Sequence, residues 1–251
     1  MDNRKELEFG TYEDLYSQGK NTGITPFRKE FFFDSEEDSL NLIKEKVVGK
    51  KVLEIGCGLG YHSIYAAEFA ENVVGTDVSL EAIKAANEEV RSIQNLKFEI
   101  QDAEKLTYPD QTFDVVINHE VFSSLDIKTV FPELARVLKP KGLIICKETL
   151  GHNFVFNFKR KLNLLFGART YWSVNNIWRI ESYEIAKTFF SPIYSKYYHL
   201  FVLFFSPLFL LPSSKYRKSL INLIAKIDGK ILSISLFKKL AFKTVFVLQK
   251  K

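Results

Sequence analysis

Cysteine is scarce in this sequence, and its two cysteines lie in neither a metal-binding nor a disulfide pattern. Cys57 falls in a glycine-rich stretch and Cys146 in an apolar run, and neither has a CxxC or Cys/His neighbour. We therefore expect no metal site and no disulfide framework. The charged N-terminus, MDNRKELEFG, also lacks the apolar stretch of a signal peptide. Together with the cysteine usage, this predicts a cytoplasmic protein.

The sequence also lacks an apolar run long enough to cross a bilayer. The densest run is HLFVLFFSPLFLL at residues 199–211, which is shorter than the roughly 18–20 residues that a span needs. Pro207 interrupts it. We expect the apolar 199–212 segment to be a buried strand and lid, or a surface that dips into the inner face of a membrane.

Acidic residues become rare after residue 150. Residues 151–251 contain 17 Lys and Arg against 3 Asp and Glu, a net charge of +14, whereas residues 1–150 contain 18 against 27, a net of −9. This asymmetry favours an anionic partner for the basic part. Lysines that keep an apolar segment soluble would give the same pattern, and both interpretations stay open.

Strand and helix patterns alternate through the middle of the chain. Strands are predicted at residues 51–55, 73–76, 96–100, 113–118 and 143–147, with helices at 61–69, 80–93 and 127–138 between them. This alternation predicts a parallel sheet that is covered on both faces. An earlier helix is expected to begin at a cap formed by Asp34 and Ser35, and a late helix is expected before a terminal strand at Phe242–Leu248.

The predicted organisation has three parts. Residues 1–47 form an N-terminal helical segment in which Tyr12 and Tyr16 could fold over a ligand as a lid. Residues 48–150 form the core of the fold. Residues 151–251 form a basic, aromatic substrate-recognition insertion together with the closing strands of the same domain.

The strongest local motif is VLEIGCGLGY at residues 52–61. A strand leads into a turn in which Gly56, Gly58 and Gly60 leave no side chains, so the backbone can approach a ligand closely before a helix begins. A dinucleotide-binding GxGxxG loop would need a glycine where Tyr61 stands. The spacing is ExGxGxG, with Glu54 inside the strand.

Polar residues follow the next three strands at the same edge of the sheet. Asp77 follows the second strand, Asp102 and Ala103 follow the third, and FDVVINHEVF at residues 113–122 closes the fourth. Ligands of such sheets bind beyond the carboxyl ends of the strands. The sequence therefore predicts one ligand site at this edge.

These stretches resemble the class I S-adenosylmethionine-dependent methyltransferases, particularly the broad small-molecule group. The matching segments within residues 48–148 are VLEIGCGLG, VVGTDVS, QDAEKLTYPDQTFDVVINHEVF and ELARVLKPKGLIICKE. The resemblance implies an α/β, Rossmann-like, seven-stranded and mostly parallel sheet with helices on both faces. Its last strand is expected to run antiparallel, formed from segments near Ile193–Tyr198 and Phe242–Leu248. One departure is KPKG at residues 139–142, where the family usually has two glycines.

The resemblance implies S-adenosyl-L-methionine as the cofactor. Asp77 is then expected to accept hydrogen bonds from both ribose hydroxyls, and Asp102 with the Ala103 amide to contact the adenine edge. The expected cofactor-binding residues are Glu54, Gly56, Cys57, Gly58, Gly60, Asp77, Val78, Asp102, Ala103, Asn118 and His119.

An oxygen or nitrogen acceptor can require a base near its proton. His119 is the first candidate because it ends the fourth strand and imidazole titrates near neutrality. Glu120 is the second candidate, and His152 is a third that ranks below them. A structural or cofactor-adjacent role for His119 stays open.

Arginines and tryptophans after residue 150 could hold a phosphate- or carboxylate-bearing acceptor; they are Arg160, Arg169, Trp172, Trp178 and Arg179. An Asn-Pro-Pro-Tyr type sequence is absent, which argues against methylation of nucleic-acid bases. The looser resemblance after Gly151 is to methyltransferases that accompany glycan or lipid biosynthesis. We expect a small-molecule, glycan or lipid-linked acceptor. An RNA or protein methyltransferase and a non-catalytic cofactor-binding regulator are the alternatives.

Overall fold

The computed structural model describes residues 3–18, 32–90, 92–165, 170–201 and 215–251. Its strands are β1 (Lys51–Ile55), β2 (Asn72–Asp77), β3 (Leu96–Ile100), β4 (Phe113–His119), β5 (Leu138–Thr149), β6 (Phe190–Tyr198) and β7 (Lys243–Lys250). Its α-helices are α1 (Asn3–Ser17), α2 (Phe33–Lys46), α3 (Tyr61–Ala67), α4 (Leu80–Glu89), α5 (Ile127–Val137), α6 (Phe154–Leu165), α7 (Tyr171–Asn175), α8 (Ser182–Ala186) and α9 (Lys215–Leu232). Short 3-10 helices cover Phe122–Ser124 and Ser235–Leu240.

The strands form one seven-stranded sheet in the order β3-β2-β1-β4-β5-β7-β6. Strands β1 to β5 pair in parallel with their neighbours, and β7 runs antiparallel to both β5 and β6. The predicted α/β sheet with an antiparallel final strand is confirmed. The order reverses beside β1, so the crevice where such sheets bind ligands opens between the ends of β1 and β4.

Apolar side chains pack against both faces of the sheet. On one face, Ile43 of α2 and Ala86 of α4 join strand residues such as Ile117 in a buried cluster. On the other face, Phe131 of α5 and Trp178 are buried with further strand residues. This two-sided burial explains why the strands are nearly continuous apolar runs.

Several element boundaries differ from the prediction; α4, for example, ends at Glu89 and not at residue 93. Helix α2 begins at Phe33 because the amide of Glu36 already donates to the carbonyl of Phe32 at 3.1 Å. The Asp34 carboxylate therefore does not cap the helix and accepts from the adjacent amide of Ser35 at 2.9 Å. Strand β5 begins at Leu138, five residues earlier than predicted, because Leu138 pairs with Phe113 across a register shift.

Some predictions concern residues that the structure does not describe, and others can be compared only with the described ranges. The apolar segment at residues 202–212 and Arg169 lie outside those ranges. Within them, no helix is both long enough and apolar enough to span a bilayer. Cys57 and Cys146 are buried free thiols, which agrees with the expectation of no disulfide between them.

Candidate active site

The turn after β1 brings bare backbone to the edge of the sheet. Gly56, Gly58 and Gly60 all have positive φ angles, of 61°, 53° and 80°, which disfavour any residue with a Cβ. A Cβ on Gly58 would lie 2.5 Å from the hydroxyl oxygen of Tyr16 in α1. The glycines are therefore required both by backbone conformation and by the closeness of other groups.

Asp77, the last residue of β2, accepts a hydrogen bond from the backbone of this turn. One carboxylate oxygen accepts from the amide of Gly58 at 2.9 Å, and the other accepts from the amide of Ser79 at 3.0 Å. Burial of the side chain raises the pKa of Asp77, although the backbone donors act in the opposite direction. Each oxygen retains acceptor capacity, so the carboxylate can still meet hydroxyl groups of a ligand.

Helix α1 supplies two cations to the carboxylates that follow β3. Lys5 Nζ donates to Asp102 Oδ2 at 2.6 Å, and Arg4 donates to both carboxylate oxygens of Glu104 at 2.8 and 2.7 Å. Burial would lower the pKa of Lys5, but its bonds to Asp102 and Glu104 outweigh that effect and raise it. The acid expected to contact adenine is therefore paired with a lysine.

The C-terminal half of α1 reaches the same edge. Glu13 accepts from the hydroxyl of Ser79, the N-cap of α4, at 2.6 Å. The Tyr12 hydroxyl lies 2.8 Å from that of Ser124, and Tyr16 reaches Gly58. The two tyrosines proposed for a lid thus contact the ends of β1 and β4, and α1 covers the region predicted to hold the nucleoside.

The fourth and fifth strands end in a buried polar pair that the sequence analysis missed. Glu148 Oε1 accepts from Asn118 Nδ2 at 2.8 Å and from the amide of Phe122 at 3.0 Å. Burial raises the pKa of Glu148 to about 7, and the nearby charge of Glu120 adds to that effect. Asn118 Oδ1 is buried without a hydrogen-bond partner in the described part of the chain, so it remains available as an acceptor.

His119 lies on the opposite face of β4, in contact with α2 and α3. Its Nε2 lies 2.7 Å from the Ser39 hydroxyl, and its ring packs on that of His62 with centroids 3.6 Å apart. His62 is in turn bonded to Glu36 at 3.0 Å and lies 3.4 Å from Glu54. The motif carboxylate Glu54 thus belongs to the same cluster as His119.

The charges of this cluster differ from one side chain to the next. Burial, the neighbouring His62 and the ammonium of Lys147 hold the pKa of His119 well below its usual value. For His62, hydrogen bonds to Glu36 and Glu54 outweigh burial and raise the pKa. The result is one neutral imidazole beside one that retains its proton more readily, which is an arrangement suited to proton transfer.

Glu36, His62 and His119 also have ligand atoms within 4.8 Å of one another, a spacing that could hold a metal ion. No metal site was expected from the sequence. Lys147 forms an ion pair with Glu36, so a cation already neutralises the only carboxylate of this group. We therefore interpret the cluster as an acid and base network.

Glu120 turns away from the strand in a left-handed conformation, with a φ angle of 61°, and its carboxylate forms an ion pair with the buried Lys243 of β7. A small cleft opens beside it. Its walls are Glu120, Ser123, Glu148, Thr149, Arg160 and Ile177. The ends of β4 and β5 therefore border a small polar cavity with ionisable walls.

The remaining predicted residues divide between this cleft, the core and the surface. Arg160 is a cleft residue, and its guanidinium donates to Asn157 at 2.6 Å. Trp178 lies in the core and stacks on Phe246, so its predicted role in acceptor recognition is wrong. His152 accepts from the amide of Ile180 at 3.0 Å, which engages one of its ring nitrogens.

The cofactor residues that remain are backbone or packing neighbours of these groups. The amide of Cys57 donates to the carbonyl of Thr76 at 2.8 Å, and its carbonyl accepts from Gly60 at 2.9 Å. Val78 is half-buried between Asp77 and Ser79, and Ala103 is buried. The turn and the acids thus fit an adenosine-bearing group, since a glycine turn, carboxylates and one unpartnered amide oxygen meet at one edge.

Comparison with known proteins agrees with this geometry. Residues 53–146 match a family described as a methyltransferase domain. The chain is 35% identical to phosphoethanolamine N-methyltransferase 3 of Arabidopsis thaliana over 53% of its own length and 26% of that protein. It is 39% identical to 2-methyl-6-phytyl-1,4-hydroquinone methyltransferase of Synechocystis over 39% of its own length and 31% of that protein.

The chain therefore spans about a quarter to a third of the length of these curated relatives. Among solved structures, the N-methyltransferase NodS of Bradyrhizobium japonicum, in complex with S-adenosyl-L-homocysteine, aligns with a TM-score of 0.61. The alignment covers 96% of this chain and 98% of that one at 13% identity, so this likeness concerns the fold.

Proposed function

The chain belongs to the class I S-adenosylmethionine-dependent methyltransferases, and from that premise we propose that it transfers a methyl group to an oxygen or nitrogen of a small-molecule acceptor. The observation that carries the proposal is the joining of Gly58 to Asp77 by a 2.9 Å hydrogen bond. A side-chain-free turn and a buried carboxylate, 19 residues apart, thereby form one surface at the ends of β1 and β2.

In this proposal the nucleoside lies between the glycine turn, Asp77 and Asp102. Asp77 would hold the ribose hydroxyls beside the glycine turn. When bound, S-adenosyl-L-methionine supplies an electrophilic methyl group with a neutral leaving group. Asn118 lies near the end of β4, where the amino-acid part and the methyl group are expected. Glu54, in the neighbouring β1, faces the His62 and His119 side of the sheet.

The proposed acceptor site is the cleft at the ends of β4 and β5. Alignment of acceptor and methyl group can contribute up to roughly 7–11 kcal/mol in favourable cases. Of the two predicted bases, Glu120 lines this cleft and is the proposed base for an acceptor bound there. His119 lies on the opposite face of β4, where its depressed pKa keeps the imidazole neutral but also makes it a weak base, so it is the second candidate.

We assign the acceptor to the small-molecule class and propose, more specifically, that it is a glycan or lipid-linked compound. The relatives named above act, by their names, on phosphoethanolamine and on a phytyl hydroquinone, which supports a small acceptor of either a polar or a lipid kind. The charge excess and the apolar run after residue 150 support action at the cytoplasmic face of a membrane. Arg160 in the cleft supports an anionic acceptor.

Two measurements test this function. Calorimetry should show binding of S-adenosyl-L-methionine but not of NAD, and an Asp77→Asn variant should bind at least tenfold more weakly. Asp110→Asn is the matched control, because Asp110 is an exposed aspartate that pairs with Arg136. Tight NAD binding without S-adenosyl-L-methionine binding would overturn the proposal.

A labelled-methyl transfer screen against cell extracts, fractionated into lipids, glycans, RNA and protein, tests the acceptor. Label in the lipid or glycan fraction supports a glycan or lipid-linked acceptor. Label in RNA or protein contradicts it, and cofactor binding without transfer to any fraction favours a regulator. Equal labelling by wild type and Asp77→Asn would show that another site is responsible.

A further inference from the structure

Helix α9 has two apolar sides, and only one of them packs on the protein. Ile221 and Leu232 are buried on the inner side. On the outer side, Tyr216, Leu223 and Ile227 are 87%, 55% and 44% exposed. An ordinary soluble helix would present polar residues on its outer side, so this surface requires an explanation.

The exposed apolar residues of α9 form a continuous stripe. At about 100° per residue, Tyr216, Leu220, Leu223 and Ile227 fall within an arc of about 60°. The exposed apolar residues continue along the chain into the following 3-10 helix, where Leu236 is 81% exposed. We call this set the α9 face; it comprises Tyr216, Leu220, Leu223, Ile227, Ile234, Leu236 and Leu240.

Cations flank the α9 face with almost no opposing charge. Residues 215–240 contain seven Lys and Arg and a single acidic residue, Asp228. Asp228 is buried, whereas Lys218, Lys226 and Lys230 are exposed. Lys226 and Lys230 lie along one border of the stripe, so an approaching surface meets apolar side chains and positive charge together.

Asp228 also ties this helix to the chain that leaves β6. Its carboxylate accepts from the amides of Leu200 and Phe201 at 2.9 and 3.2 Å. The apolar stretch at residues 202–214 begins directly after Phe201 and ends directly before α9. In the sequence, the most apolar stretch of the chain therefore lies between Phe201, whose amide Asp228 binds, and the first residue of α9.

We propose that the α9 face is a docking surface for an anionic lipid bilayer, an inference that rests on the proposed action at a membrane face but not on methyl transfer itself. The helix would lie in the plane of the interface, with Leu223 and Ile227 among the acyl chains and Lys226 and Lys230 at the headgroups. An acceptor carried by a lipid would then reach the protein at the membrane.

The charge on this face favours a bilayer over the other possible occupants. A second copy of the chain would bring the same lysines against one another, which costs free energy. Nucleic acid would satisfy the lysines but leave Leu223, Ile227 and Leu236 without an apolar partner. Only an anionic bilayer offers negative headgroups beside hydrocarbon.

Flotation of the full chain with vesicles tests the proposal. The protein should float with vesicles of phosphatidylglycerol and phosphatidylcholine at low salt, and much less with phosphatidylcholine alone or at high salt. Leu223→Asp with Ile227→Asp should lower the partition coefficient about tenfold or more. Lys226→Glu with Lys230→Glu should lower it by about twentyfold or more, because each lysine near an anionic surface contributes roughly fivefold.

Val48→Asp and Lys97→Glu are matched controls, because Val48 and the Lys97 side chain are 62% and 55% exposed and do not belong to the α9 face. Both controls should float like wild type. Flotation that is unchanged in the α9 variants, or absent in wild type, overturns the proposal. So does a concentration-dependent dimer in light scattering that the α9 variants abolish.

Cofactor binding measured on the same variants separates the two proposals. If α9 variants lose flotation but bind S-adenosyl-L-methionine normally, the docking surface is supported independently of the catalytic site. If wild type floats but does not bind the cofactor, the docking surface survives and the proposed function fails.

Discussion

Substitution of Asp77 by asparagine tests whether one carboxylate holds the glycine turn in place. In the wild type, its two oxygens accept from Gly58 and Ser79 at 2.9 and 3.0 Å. Asparagine can keep only one of these acceptors and turns an amide donor toward the other backbone amide. A buried donor left unsatisfied costs about 1–3 kcal/mol.

For a chain of this size, each kcal/mol corresponds to a Tm shift of roughly 2–4 °C. Asp77→Asn should therefore lower the Tm of the ligand-free protein by about 2–12 °C in a thermal melt followed by circular dichroism. Faster hydrogen exchange at the amide of Gly58 should accompany the shift, whereas Asp110→Asn should change the Tm by less than about 1 °C. An unchanged melting temperature with unchanged exchange would refute the inferred role of this carboxylate.

Three further substitutions test other parts of the account. The raised pKa of Glu148, about 7 against 4.5, means that its contribution to stability is greatest below pH 4.5 and is lost as the pH rises through 7. Glu148→Gln keeps the oxygen that accepts from Asn118 but cannot ionise. The wild type should lose on the order of 3 kcal/mol of its free energy of unfolding between pH 5 and pH 8, and the variant should not. The same dependence of Tm on pH in both proteins would contradict the raised pKa of Glu148. His119→Gln should reduce methyl transfer by about 10²–10⁴-fold if this imidazole is the base; full activity would exclude that role, and a matching loss of calorimetric cofactor affinity would assign it to cofactor binding instead. Lys5→Met should tighten cofactor binding in calorimetry, because Lys5 pairs with Asp102 at 2.6 Å; weaker binding would mean that Lys5 positions Asp102 for the ligand.

The sequence predicted the features that depend on local patterns. The glycine turn could be recognised because Gly56, Gly58 and Gly60 lie within five residues and follow an apolar strand. The N-cap of α4 is equally local, because the Ser79 hydroxyl accepts from the amide of Ala82 three residues later. The seven-stranded sheet and the antiparallel β7 followed from resemblance to a family, whereas the strand order was not predicted, since periodicity alone does not determine which strands pair.

Features that depend on tertiary contacts were missed. Glu148 occurs in the strand sequence IICKET, and nothing in that pattern shows that Asn118 and the Phe122 amide hydrogen-bond to it. The cluster of Glu36, His62 and His119 joins α2, α3 and β4, which no spacing rule connects. A polar pair inside an apolar strand, such as Lys147 and Glu148, was the one available signal, because charges inside buried strands require partners.

Aromatic and basic composition was a poor guide to position. Trp178 and Arg179 are adjacent in sequence, yet Trp178 is 1% exposed in the core while Arg179 is exposed. The predicted start of α2 failed for a related reason. Asp34 is a residue type that often caps helices, but the helix already begins at Phe33. The residue before it, Phe32, packs against His199, a tertiary contact that the local sequence does not reveal.

A crystal structure of the chain with S-adenosylhomocysteine tests the central claim most directly. We expect the ribose against Asp77, the adenine beside Asp102 with Lys5 withdrawn from that carboxylate, and the thioether facing Asn118 and the cleft of Glu120 and Glu148. Density for the nucleoside at any other surface, with Asp77 still bonded only to Gly58 and Ser79, would contradict the account.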